Sequence, residues 1–481
     1  MYLHHPRRRG DNPHRPTGPR PRRPRVLLGT CQVVLLVAAA CSDPGGSGSA
    51  GSGSNDPASA QPSDEQPLPT APDSDRVDLE QPTFSDPTSV HNPLFPISDL
   101  HSALLLGNDE GHALRIETVL LPQPKVITVD GQEIETLVSQ FVGYLDGRIH
   151  EVALDWYAQD DAGNVWYFGE DVFNYEDGVV ADTDGTWIAG EDGPPGMIMP
   201  ADPQAGQAYR PENIPDFVFE EVVVKTVQVT VDGPRGPVDG AMVGTENHLL
   251  EGHYEDKTFA PGYGEFRSGV GGNLEALALA VPTDAQTGGA LAELDAISTG
   301  AADIVAAAEA NDWDAAAATL DAMTTAWATH KANGSVPPLL AVQMDQALAA
   351  LAGTPLRPAV NENNPEGARN AALDVEMAAL DLRLQYEEPT EIDLGRFNVW
   401  ANQLLVDASS DEPDPGNIAG DVTSLEWVWD RIAHTLDDSS VSDIEAQLEA
   451  LRTAADDEDT GSAADAAPQL VDSIAELQPT A

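Results

Sequence analysis

The 481-residue chain is short of cysteine and of positive charge. It has two cysteines, and 24 Lys and Arg stand against 80 Asp and Glu, for a net charge of −56. Cys31 lies within the apolar run from Val26 to Ala40, so Cys41 is the single thiol expected to remain once that run is removed. Disulfides, thiolate metal sites and a cysteine nucleophile are thereby excluded, and apolar burial must hold the fold, for which the chain is long enough. Residues 1–40 hold eight arginines and one aspartate and contribute +7, so the remainder carries −63. Beyond Cys41 the lysines are Lys125, Lys225, Lys257 and Lys331, too scattered for the basic patch that phosphate recognition requires. Nucleic acid is therefore not expected as a partner, and anionic headgroups should repel the body of the protein. The sequence also lacks GxSxG, SxxK, P-loop and dinucleotide fingerprints, and no two of its many acids stand out as a glycosidase pair. Catalysis, a cofactor and a metal site are accordingly not expected.

What is present begins with a stretch containing Arg7, Arg8, Arg9, Arg15, Arg20, Arg22, Arg23 and Arg25, followed by the apolar run and then Ala38, Ala39, Ala40 and Cys41. The run is shorter than the roughly 20 residues of a spanning helix, and its flanks are those of an export signal. It resembles a bacterial lipoprotein signal, with Ala39 and Ala40 at the small-residue positions and Ala38 where leucine is usual. The resemblance implies removal of residues 1–40, acylation of Cys41, and a lipid-anchored position on the extracytoplasmic face of the cell membrane. Residues 41–92, which include GGSGSAGSGSN at 45–55, read as a disordered Gly/Ser/Pro/Asp tether.

The folded part is expected to be α+β and multidomain. Residues 93–283 show period-two alternation broken by Asp130-Gly131, Asp177-Gly178 and Asp184-Gly185, the pattern of an antiparallel half-barrel or sandwich-like sheet. Strands are expected at 116–121, 125–129, 149–159, 165–175, 186–189, 217–231 and 274–280. In the sixth of these, Val223, Val227, Val229 and Val231 would form one apolar face. After Pro282 the composition turns to Ala, Leu and Asp at helical spacing, predicting a separate helical domain. Leu320, Met323 and Trp327 recur as Val422, Leu425 and Trp429. Met344, Leu348 and Leu351 recur as Ile444, Leu448 and Leu451, and Leu373, Met377 and Leu380 as Leu470, Ile474 and Leu477. Two four-helix repeats, at 286–388 and 389–481, follow from this register. Ser440 and Asp443 read as a capping box.

The most distinctive words are Asp155-Trp-Tyr-Ala-Gln-Asp160, Gly163-Asn-Val-Trp-Tyr-Phe-Gly-Glu170, Pro194-Pro-Gly-Met-Ile-Met-Pro200 and Phe259-Ala-Pro-Gly-Tyr-Gly264. In this order they resemble a β domain of uncharacterised exported bacterial lipoproteins, a likeness that carries no activity with it. Trp156, Tyr157, Trp166, Tyr167 and Phe168 lie on neighbouring strands, where large rings pack a sheet face. Their alternative role is to line the concavity of a half-barrel, similar in outline to lipoprotein-carrier folds, that holds a lipid or another apolar ligand. Asp160, Asp161 and Asn164 read as turn chemistry, since the terminal glutamate of a calcium loop is missing. His248, Glu251 and His253 form the one close His/carboxylate group, yet their spacing on a single strand would put the two imidazoles on opposite faces. Met323, Met344 and Met377 alternate with Leu and Ile between the repeats, which signals core and not a copper site. The sequence thus predicts a non-catalytic binding or scaffolding protein, anchored to the membrane by an acyl chain. Its partner would be an unknown protein or an apolar small molecule, with weak divalent-cation binding at the acidic surface as a further alternative.

Overall fold

A computed structural model describes residues 68–477 except 270, 289–290, 335 and 355–363; Cys41 and the rest of the leader lie outside the described residues. The chain is α+β in two consecutive parts. The first six strands are β1 (Ser102–Asp109), β2 (His112–Leu120), β3 (Lys125–Val129), β4 (Gln132–Leu145), β5 (Arg148–Gln159) and β6 (Val165–Glu176). Five short ones follow: β7 (Val179–Asp182), β8 (Trp187–Ile188), β9 (Gly196–Met199), β10 (Ala208–Tyr209) and β11 (Asn213–Ile214). The last five are β12 (Val218–Gly233), β13 (Gly236–His248), β14 (His253–Ala260), β15 (Gly264–Ser268) and β16 (Leu274–Val281). Asp130-Gly131, Asp146-Gly147 and Asp177-Gly178 carry positive φ at both residues, the turn whose twist suits adjoining antiparallel strands.

All strands belong to one antiparallel sheet whose main path runs β10-β12-β13-β14-β15-β16-β1-β2-β4-β5-β6-β7. The path curls until its ends approach: β9, paired to β6, meets the chain beyond β10, paired to β12, where Met197 N–H donates to the Arg210 carbonyl at 2.8 Å. The predicted alternation in β12 changes phase at bulges between Val224 and Thr230, with Gln228 at φ 58°. Val222 and Val224 are therefore the core residues of its first half, and Val223 does not share a face with them.

The segment 68–92, assigned to the tether by composition, is instead packed on the sheet. Val77 N–H donates to the Ala208 carbonyl, Asp161 accepts from Thr83 and Ser85, and Gln159 accepts from the amides of His91 and Asn92. Val90 is fully buried, and Val77 and Phe84 pack against the same cluster. Three well-spaced apolar anchors and a set of satisfied polar groups order a stretch whose average composition is that of a linker.

Eight α-helices follow among the described residues. They are α1 (Ala292–Glu309), α2 (Trp313–Asn333), α3 (Pro338–Gly353), α4 (Pro365–Arg383), α5 (Pro389–Ala408), α6 (Pro415–Ile432), α7 (Asp438–Asp456) and α8 (Thr460–Ile474). The first packs on α2 and α4, and α3 on α4; likewise α5 packs on α6 and α8, and α7 on α8. The cap of α7 is Asp437, whose carboxylate accepts from the amides of Ser439 and Ser440. Ser440 thus lies inside the first turn and makes no capping box. Among the described residues no helix is long and apolar enough to cross a membrane.

The helices are not a separate body. Leu104, Leu279 and Val281 of β1 and β16 join the core of the first four helices, while Val142, Tyr144, Ile149, Val152, Phe173 and Tyr175 of β4 to β6 join that of the second. Between the two clusters sits a buried, charge-balanced network. Arg115 and Glu117 of β2 meet Asp381 of α4, Asp393 and Arg396 of α5, and Arg431 of α6. Gln140 of β4 accepts from Arg431 and donates to the Trp427 carbonyl. Three guanidinium groups against three carboxylates, all interlocked, leave little uncompensated charge in this dry junction.

Candidate functional site

The face of the sheet turned away from the helices lines a half-open cavity. Alternation along β5 sends Glu151, Ala153, Asp155 and Tyr157 inward, while Val152 and Trp156 face the apolar clusters outside it. On β6, Tyr167 and Glu170 both point inward although three residues apart. The strand bulges at Gly169, where φ is 112° and a Cβ would collide with the Trp187 carbonyl. Glu212 enters from the loop between β10 and β11, and Glu220, Glu246, Glu255, Lys257, Glu265 and Glu275 enter from β12 to β16. Nine carboxylates thereby face one ammonium around a chamber of about 150 Å³. A second chamber of about 120 Å³ shares Phe141, Asp155, Tyr157, Glu265 and Glu275 with it.

The hydrogen bonds inside are few for so many acids. Tyr167 donates to Asp155 at 2.7 Å, and Trp187 Nε1 donates to Glu212 at 3.2 Å. Lys257 Nζ lies 2.7 Å from Glu246, 3.7 Å from Glu265 and 3.8 Å from Glu255. His248, 1% exposed, has Nδ1 3.0 Å from Glu220 and Nε2 3.8 Å from Glu255. Tyr209 is fully buried and its hydroxyl has no hydrogen-bond partner among the described residues.

Burial sets the protonation of this wall. Loss of water raises Asp155 to about 7 and Glu275 to about 8, in each case with like charge from Glu265 adding to the effect. Desolvation, reinforced by neighbouring carboxylates, also pushes Glu170, Glu212 and Glu220 up. For Glu255 the burial penalty is outweighed by His248 and Lys257, and its carboxyl stays ionised below the ordinary range. Burial alone would lower His248, but Glu220, Glu255 and Glu246 overcome it and lift the imidazole to about 10.

The five aromatic residues singled out in the sequence, Trp156, Tyr157, Trp166, Tyr167 and Phe168, all belong to one packed apolar cluster. Lys125 Nζ sits 3.0 Å over the Trp156 ring, and Trp166 Nε1 donates to Asp160 at 2.8 Å. Tyr157 and Tyr167, stacked at 5.0 Å, alone of the five line the chamber. Asp160 also accepts from the amides of Ala162 and Asn164 and from the Asn164 side chain, so its oxygens are occupied by the turn. His248 and His253 are direct partners across the β13–β14 hairpin, with rings stacked at 4.2 Å. The opposite-face argument therefore fails, because the turn after His248 places the two residues on different strands and returns His253 to the same side. Cys41 lies outside the described residues.

Sequence reasoning missed the carboxylate wall. Its signal is a single acid inside an otherwise apolar strand, as with Glu275 in Leu-Glu-Ala-Leu-Ala-Leu-Ala, which a total of 80 acids conceals. The chain matches no protein-family model and no curated protein.

Proposed function

We propose that the protein is a lipid-anchored, extracytoplasmic binding protein without catalytic activity, whose curled sheet takes up a small cation in exchange for protons. The observation that carries this reading is the excess of nine carboxylates over one ammonium around a single half-open chamber. Such a wall reaches neutrality only by holding protons or by admitting positive charge. Both chambers fall well below the roughly 300–1,000 Å³ of pockets for drug-sized molecules, so the ligand is an ion or an amine of a few heavy atoms. This wall favours a cation over the apolar ligand that an aromatic concavity would hold.

A carboxyl raised by burial binds more protons folded than unfolded between its ordinary value and its raised one. For Glu275 that window runs from 4.5 to about 8. Stability of the ligand-free protein should therefore fall as pH rises through the window, and a bound cation should restore it. The test is calorimetric titration of the full chain with calcium, zinc and methylammonium at about pH 6 and about pH 8, with melting curves alongside. Tighter binding and a larger melting shift at the higher pH are expected, with protons released to the buffer. If none of the three cations binds or raises the melting temperature at either pH, the reading is wrong.

A further inference from the structure

We infer that Glu246, His248 and Glu255 form a site for one divalent transition-metal ion of the zinc class at one end of the carboxylate-lined chamber. This inference rests on the cation-binding reading and assigns both the place and the kind of ion. One imidazole nitrogen and one oxygen from each carboxylate lie within 4.8 Å of one another. The register explains why they converge. Glu246 and Glu255 are direct cross-strand partners, His248 follows Glu246 on the same face, and the hairpin is the unbroken run of pairs from Met242–Phe259 to His248–His253.

Four further observations point to an ion and not merely to a knot of buried charge. Like charges placed directly opposite each other across a ladder repel, and Glu246, 3% exposed, has little water to screen it. The Glu220 carboxylate 3.0 Å from His248 Nδ1 fixes that nitrogen as the donor and leaves Nε2 directed at Glu255, the carboxylate–histidine arrangement that supports a metal-bound imidazole. The 3.8 Å between His248 Nε2 and Glu255 Oε1 is too long for a hydrogen bond. It is close to the spacing of about 3.4 Å between two ligand atoms on a tetrahedral ion with bonds of about 2.1 Å. Beside the cluster, the unpartnered and fully buried Tyr209 hydroxyl lies in the field of Glu246, Lys257 and Glu265, an unsatisfied donor of the kind an ion or its water resolves.

One nitrogen and two carboxylate oxygens suit zinc-class ions better than calcium, which takes oxygen alone. The exchange balances simply: the proton on His248 Nε2 leaves to solvent, and the freed lone pair forms the metal bond. The charged and titratable groups that face this imidazole are Glu220, Glu246, Glu255 and His253, with Lys257 and Glu265 beyond them. Lys257 is the built-in competitor, since its ammonium already contacts Glu246.

The experiment is zinc titration of the full chain by calorimetry, with cobalt absorption as a second readout, for the wild type and for His248→Gln, Glu255→Gln, Lys257→Gln and Glu170→Gln. One equivalent of zinc should bind with proton release, and His248→Gln and Glu255→Gln should each weaken it by about tenfold or more. Removing the competing ammonium in Lys257→Gln should tighten binding, a gain that a merely misfolded variant does not produce. Glu170→Gln, across the chamber, should change zinc affinity least. Zinc bound equally by wild type, His248→Gln and Glu255→Gln overturns the assignment. So does a loss confined to Glu170→Gln, although the broader cation reading then survives. Failure of zinc, calcium and methylammonium alike to bind the wild type defeats both.

Discussion

Arg396 is 1% exposed and holds Glu117, Asp381 and Asp393 at once. Arg396→Met would leave two guanidinium groups against three carboxylates in a place that water does not reach, and breaking a buried pair in this way costs about 3–5 kcal/mol. Urea unfolding of the variant should show a loss of that size, and an unchanged midpoint would remove the network from the account of stability. The pH dependence has a definite sign. The neighbouring arginines overcome the burial penalty of Glu117 and Asp381 and hold both below the ordinary carboxylate range. Their contribution is present above that range and is lost as pH falls from it toward the depressed values, opposite in direction to the cavity acids. Nothing local distinguishes these residues in the sequence. Arg115 and Glu117 alternate with Ile116 as residues of a wet strand face do, and their burial depends on helices more than 250 positions away.

At the scale of elements, the hairpin turn Asp177-Gly178 presses on the start of α6. A Cβ on Gly178 would collide with Gly420 N and the Gly416 carbonyl, and the Gly178 carbonyl accepts from Thr423 Oγ1 at 3.2 Å. Gly178→Ala should therefore cost more than Gly147→Ala, whose φ of 77° is similar but whose Cβ would meet nothing within 4 Å. The open site should lose only the conformational penalty of about 1–2 kcal/mol, and the docked one about 1–3 kcal/mol beyond it. Equal losses in thermal or urea unfolding would show that the contact with α6 is not tight. Elements with a strong local period were legible: β3 is predicted to the residue, β5 and β6 to within one, and all eight helices from their apolar spacing. Strands β1, β4 and β13 to β15 were not, because glycines, bulges and inward-facing acids break the alternation that marks a strand. For the same reason the rings of Tyr157 and Tyr167 were found in the sequence and the carboxylates around them were not.

For the whole molecule, two clusters shared between sheet and helices make the pair of parts one packed unit, which a change of composition at Pro282 does not disclose. The location proposed for it rests on Cys41. Cys41→Ala should release the protein from membranes into the soluble fraction with the same cooperative melting as wild type, because the described fold begins at residue 68. Persistent sedimentation of that variant with membranes would end the acyl-anchor proposal.

Arg115, Arg396, Arg431 and Lys257 spend their charge inside the molecule, in a chain with few cations to spare. The carboxylates buried with them outnumber these cations, yet the outer skin stays strongly anionic, since 80 Asp and Glu stand against 24 Lys and Arg. Two copies that approach in dilute buffer meet like-signed surfaces at long range, and at physiological salt that mutual avoidance shrinks to about 8 Å.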